Sequence, residues 1–251
     1  DTLSFLNSKQ HHLSIISNET INIPIDNKNL ILKAAGTINN KYSRRILLKK
    51  IIPVAAGIGG GSADAAATIR DAISLGYKVS HQDIVKLGAD VLACLESQPL
   101  RMTGIGDHLN LIDLWPRDGY IVLVNPRIPL ATKEVFAALK QKNNNPMPSR
   151  LPIFSSFKEL VHFVRRHRND LEETAIKLEP IIKKVLLEIC KNKNCLVSRM
   201  SGSGPTCFGL FENYSKAHSA KLRLMKDFPN WWVVSSKLTV DKSELSPFNL
   251  L

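Results

Sequence analysis

The chain has 251 residues, 44% of them hydrophobic, with 34 Lys+Arg against 22 Asp+Glu and a formal net charge of +12. That length buries a core as one large domain or two small ones, and no apolar run reaches the ~18 residues that a membrane-crossing helix needs. Four cysteines (Cys94, Cys190, Cys195, Cys207) without a CxxC pair or zinc-ligand spacing exclude a disulfide scaffold and a zinc module, and predict reduced thiols in a cytoplasmic protein.

In chain order, residues 13 to 24 alternate as strands do, and 28 to 41 carry asparagine caps and helical spacing. "RRILLKKIIP" reads as a strand ending at Pro53, followed by "PVAAGIGGGSADAA" and a helix, "SADAAATIRDAISLG", closed at Gly76. "SHQDIVKLGA" is a helix with Ser80 as N-cap, and Asp90 is placed at its end, ahead of an apolar strand "VLACL". "GYIVLVNP" is a buried strand, "ATKEVFAALKQ" a helix and "KNNNPMPSRLP" a polar loop. Two helices over about 156 to 168 and 170 to 191 precede a strand, glycine turn and strand in "NCLVSRMSGSGPTCFGLF". A basic helix over 214 to 227 and a strand "WWVVSSKLTV" close the chain. Strands and helices mix without a βαβ period, which predicts an α+β fold, and the text changes character between Trp115 and Gly119.

The basic residues are scattered over mixed helix faces with no RNA-binding, zipper or finger signature beside them. They predict solvated faces, with no nucleic-acid partner. The seven histidines form no HxH or HExxH grouping, so no protein-built metal site is expected. The chain begins at Asp1 and runs almost at once into the strand-like text "LSIISNETINIPI", from which upstream residues of a longer gene product are expected.

The glycine stretch carries the chemistry. Glycines between a strand and a helix let backbone N–H groups converge on one point, and the helix adds its own first N–H groups and positive dipole end. Ser62 is the expected N-cap, or a hydroxyl for a phosphate or metal ion. No Gly-Lys-Ser/Thr makes a P-loop, and Ser62 stands where a dinucleotide fingerprint needs its third glycine. The plain alternative is a tightly packed turn.

"PVAAGIGGGSADAA" resembles the P-x-x-x-G-[LI]-G-[GS]-[GS]-[SA] loop of the GHMP kinases. "LGADVLACL", "VNPRIPLATKEVF" and "SRMSGSGPTCFGLF" stand in family order and are similar to one branch of it, whose members phosphorylate CDP-methylerythritol. The resemblance implies two α+β domains, an ATP-binding one over 1–117 and a second over 118–251, with the active site in their cleft. It implies that Pro53, Val54, Ala55, Ala56, Gly57, Ile58, Gly59, Gly60, Gly61, Ser62 and Ala63 wrap the ATP phosphates, with Lys50 and Asn29 lining the nucleotide pocket. A solvated strand-end lysine and a helix-capping asparagine are the structural alternatives for the last two.

Asp90 is implied as catalytic base. Phosphoryl transfer needs a group to take or orient the acceptor proton, and a carboxylate at a helix C-terminus has little structural motive. Thr132 and Phe136 are implied contacts of the cytidine-bearing substrate, and Gly202, Ser203 and Gly204 are implied substrate-binding residues on a turn bracing the phosphate loop. Mg²⁺ is expected to be held mainly by ATP. "GADVLAC" departs from the family's "GADVPVF", and the "KINL"-type lysine and "DGYH"-type segment of the family are absent from this chain. Homoserine- or mevalonate-type kinases, an inactive ATP-binding remnant and a basic nucleic-acid binder are the rival readings. A monomer and a weak dimer stay equally open.

Overall fold

The computed structural model describes residues 1–17, 23–38, 41–106, 108–112, 116 and 118–239. The chain divides into two compact units. The first contains Asp1–Val54 and Gly59–Leu111; the second contains Ile112–Val240 together with Ala55–Ile58. Four residues of the glycine stretch thus fold with the second unit.

In the first unit, β1 (Thr2–Asn7), β2 (His12–Ser17) and β3 (Arg44–Lys50) form a sheet in the order β1-β3-β2. β1 runs antiparallel to β3, and β2 parallel. Along "RRILLKK" the side chains of Arg44, Ile46 and Leu48 are buried while Arg45, Leu47 and Lys49 face out, the period-two pattern of a half-covered strand. Among the described residues this unit has four helices: α1 (Leu30–Gly36), between β2 and β3, then α2 (Gly60–Ser74), α3 (His81–Leu87) and α4 (Ala89–Glu96). The inward face of α2 is built from Ala65, Ala66, Ile69 and Ala72, small enough for its neighbours to pack closely on it. A hairpin of β4 (Leu100–Thr103) and β5 (His108–Leu111) ends the unit.

The second unit is built on an antiparallel sheet in the order β7-β8-β6-β9. Its strands are β6 (Tyr120–Asn125), β7 (Val197–Met200), β8 (Cys207–Phe211) and β9 (Trp232–Lys237). Among the described residues five helices accompany it: α5 (Thr132–Ala138), α6 (Phe157–Arg166), α7 (Glu172–Leu178), α8 (Ile181–Cys190) and α9 (Tyr214–Asp227). Alternation sends Cys207 and Phe211 into the core with α8 and α9, and Leu210 into a second cluster with α6. A Cβ at Gly119 would lie 2.1 Å from the Phe157 ring, so only glycine lets that ring approach.

The structure corrects several expectations. "VLACL" is the body of α4 and not a strand, which puts Asp90 in the first turn of a helix. A five-residue apolar run fits either period, and α2 supplies the helical partner that decides it. Ser62 is not the N-cap of α2: Gly59, at φ 72°, takes that place and the helix starts two residues before Ser62. The helix expected over 170 to 191 is two helices, because Pro180 has no N–H to donate and pushes Glu179 out of helical geometry. β1 and the β4–β5 hairpin were not foreseen, and α1 ends at Gly36. Of the strand text over 13 to 24, β2 ends at Ser17 and residues 18–22 lie outside the described residues, as does Trp115.

Candidate active site

Two helix starts dominate the first unit's chemistry. The first is that of α2. Gly59 has no side chain to cap it, and the first amide of the helix with a backbone partner is that of Ala63, which donates to the Gly59 carbonyl at 2.8 Å. Among the described residues the N–H groups of Gly60, Gly61 and Ser62 have no partner, as the first amides of a helix do. Nothing lies within 4 Å of where a Cβ on Gly61 would stand, and the Ser62 hydroxyl makes no hydrogen bond to another described residue. Uncapped amides, a positive dipole end and a spare hydroxyl fit a phosphate group.

The second is that of α4. Asp90 is exposed there, in the first turn after Gly88. A carboxylate is electrostatically at home in this position, so Asp90 has the structural motive that a helix end would have denied it. The two helix starts meet at Cys94, one turn along α4 from Asp90. Its Sγ lies 3.9 Å from the Gly59 carbonyl oxygen. Burial first, and then the nearby charges of Asp90 and Asp64, push the Cys94 thiol up to about 11, with Arg70 opposing. The thiol is therefore a neutral packing atom that holds the Gly59 bend beside the Asp90 helix.

Arg70 fastens the other end. From α2 its Nη1 donates to the carbonyls of Cys94 and Leu95, at 2.9 and 3.2 Å, and to Ser97 Oγ at 3.3 Å. These are carbonyls that a helix C-terminus leaves without partners, met here by a positive charge. Arg70→Met is expected to cost about 1.5–3 kcal/mol in urea unfolding. A loss below ~0.5 kcal/mol would show that α4 is held without it.

Lys50 is not a solvated strand-end lysine. Its Nζ sits 2.5 Å from Asp1 Oδ2 and 3.0 Å from Asp64 Oδ2, and all three side chains are buried. Asp1 also accepts the amides of Ile51 and Ile52, and a Cβ on Gly60 would lie 3.4 Å from the lysine nitrogen. Lys50 thus lies directly beneath the first residue of α2, with its charge engaged by two carboxylates. Asp64 was missed by sequence reading because its partner is fourteen residues away, on a strand. Asn29 caps α1: its Oδ1 accepts from Ile31 N at 3.0 Å and its Nδ2 donates to the Pro24 carbonyl. Its side chain is spent locally, and it makes no hydrogen bond to the glycine turn.

Pro53 and Val54 are the last residues of the first unit ahead of the turn; in the second unit Ala55 takes a left-handed φ of 55° and Ala56 is buried. The Ala56 carbonyl accepts from Thr206 N at 3.3 Å and from Thr206 Oγ1, and the Gly57 carbonyl accepts from Ser201 Oγ at 3.3 Å. Gly202, Ser203 and Gly204 form the turn against which this segment is pressed: a Cβ on Gly57 would stand 2.2 Å from the Gly204 oxygen. Ile58 completes the segment. Thr132 Oγ1 and Ser203 Oγ are 2.8 Å apart, so these two sequence candidates are brought together. Phe136, four residues along α5, leaves 53% of its surface exposed.

An uncapped helix start that fits a phosphate group, in a two-domain α+β fold, is the arrangement of a small-molecule phosphotransferase. The description of the GHMP kinases N terminal domain matches residues 29–107, and that of the GHMP kinases C terminal matches 154–230. The chain belongs to the GHMP kinases. It is 40% identical over 228 residues, 90% of this chain and 82% of the other, to the 4-diphosphocytidyl-2-C-methyl-D-erythritol kinase of Cereibacter sphaeroides strain ATCC 17025. It is 43% identical to that of Paracoccus denitrificans, over 85% of this chain and 75% of the other. A crystal structure of 4-(cytidine 5'-diphospho)-2C-methyl-D-erythritol kinase superposes with a TM-score of 0.73 at 26% identity, over 94% of this chain and 86% of that one.

Proposed function

We propose that the chain transfers the γ-phosphoryl group of ATP to the 2-hydroxyl of 4-diphosphocytidyl-2-C-methyl-D-erythritol, a step in the non-mevalonate route to isoprenoid precursors in the cytoplasm. The observation that carries the chemistry is the uncapped start of α2 lying beside the Asp90 helix, with Cys94 between them. The names borne by relatives at about 40% identity carry the substrate.

In this reading the amides of Gly60, Gly61 and Ser62 bind and orient the nucleotide phosphates, and the segment from Pro53 to Ile58 aims them. Asp90 accepts the proton from the acceptor hydroxyl as that oxygen attacks phosphorus and ADP departs. Ser62 Oγ is one protein oxygen that would help hold an ATP-bound Mg²⁺, which would supply neutralisation of charge on the transferred group. The buried pairing of Lys50 with Asp64 braces the floor under Gly60. The domain limits 1–117 and 118–251 and the substrate contacts of Thr132 and Phe136 are part of the same proposal.

The assay is incubation with ATP, Mg²⁺ and the cytidine-bearing diol, followed by mass spectrometry. A mass gain of one phosphoryl group on that alcohol is expected; preferential turnover of homoserine or mevalonate would overturn the assignment. Phe136 offers an exposed ring for the cytosine to stack on, and base–aromatic stacking contributes about 1–3 kcal/mol. Phe136→Ala is therefore expected to raise KM for the alcohol ~5- to 100-fold while stability stays within about 0.5 kcal/mol. An unchanged KM would remove Phe136 from the site.

A further inference from the structure

Asn125 closes β6 and is only 1% exposed, yet none of the sequence motifs assigns it a role. Its carboxamide is committed at both ends. Oδ1 accepts the Arg127 amide at 2.7 Å, and Nδ2 donates to Thr206 Oγ1 at 2.9 Å, across 81 residues of sequence. A backbone N–H can only donate, so the atom facing Arg127 is the oxygen and the NH₂ faces Thr206. Thr206 is fully buried and its hydroxyl has one proton. Receiving a proton donor from Asn125, that hydroxyl directs its own proton to the Ala56 carbonyl. Ala56 is also the acceptor of Thr206 N, and the next residue is Gly57, packed against Gly204.

The relay has a direction: Asn125 amide to Thr206 hydroxyl to Ala56 carbonyl. The other end of Asn125 holds Arg127 in a left-handed conformation, φ 57°, at the head of the segment leading to Thr132. One side chain therefore sets both the entry to the glycine turn and the approach to α5. Resting on the function proposed above, we propose that Asn125 is a positioning residue, which through Thr206 holds Ala56 and Gly57 in the geometry that binds nucleotide.

The test is ADP binding by calorimetry, with melting temperature measured without ADP, for Asn125→Ala, Thr206→Val, Thr206→Ser and the Asn125→Ala/Thr206→Val double variant. Asn125→Ala and Thr206→Val are each expected to weaken ADP about tenfold, and the double variant no more than about twofold beyond the worse single one, because a relay fails as a unit. Thr206→Ser, which keeps the hydroxyl, is expected to stay within about threefold of the unsubstituted protein. ADP affinity unchanged in Asn125→Ala, whatever its melting temperature, would reduce the residue to scaffold and overturn the inference. So would strictly additive losses in the double variant. The readout omits the acceptor alcohol, so a wrong acceptor assignment leaves these comparisons standing.

Discussion

Gly57→Ala is expected to lose nucleotide binding while the rest of the fold survives weakened. Two independent costs fall on one methyl group. The residue sits at φ 71°, where an L side chain costs about 1–2 kcal/mol, and its Cβ would stand 2.2 Å from the Gly204 carbonyl oxygen, so backbone must move. Overpacking of that kind adds roughly 1–3 kcal/mol, for a total of about 2–5 kcal/mol concentrated on the segment just ahead of α2. ADP protection against thermal unfolding, an ordinary linkage effect, is expected to vanish. Gly59→Ala meets only the Cys94 sulfur at 3.6 Å and carries the φ penalty alone. Gly61→Ala meets nothing within 4 Å and stands in a helix, where alanine is favoured by about 0.5–1 kcal/mol; it is expected to melt higher. The order Gly57, then Gly59, then Gly61 in damage to stability checks the account; equal effects at all three would contradict it.

Asp90→Asn is expected to lower kcat by about 10²- to 10⁴-fold, the contribution of a positioned general base, with ADP affinity within about twofold of the unsubstituted protein. Size decides between two roles for this carboxylate. As a favourable charge in the first turn of α4 it would contribute about 0.3–1 kcal/mol to stability and nothing to turnover. A variant that melts slightly lower but turns over normally would therefore assign Asp90 to the helix and not to the reaction. Unchanged ADP binding beside a collapsed kcat is the signature of a proton acceptor.

The parts of this molecule that were legible in its sequence are those written in local periodicity or local punctuation. β3 and β6 show their alternation and buried runs, α3 shows Ser80 three residues ahead of Asp83, and Gly57 and Gly59 mark a backbone bend before a helix. What was not legible depends on partners far along the chain. "VLACL" could be strand or helix until Arg70 and Cys94 tied it to α2 and the Gly59 bend. The Lys50–Asp64 pair joins a strand end to a helix interior, and nothing near Lys50 announces a buried charge. Asn125 reads as an unremarkable residue before a proline, and its significance lies in Thr206 and Ala56. The GHMP kinase loop was recognisable because its glycines are a local necessity; the side chains that hold the loop still are chosen by the tertiary fold.

The central claim is that the open amides at the start of α2 receive a nucleotide's phosphates next to Asp90. Titration of ¹⁵N-labelled protein with ADP, read as amide chemical-shift changes, tests it most directly. The largest shifts are predicted at Gly59, Gly60, Gly61 and Ser62, with Asp90 and Cys94 following. Shifts absent there and concentrated along α9 would contradict it.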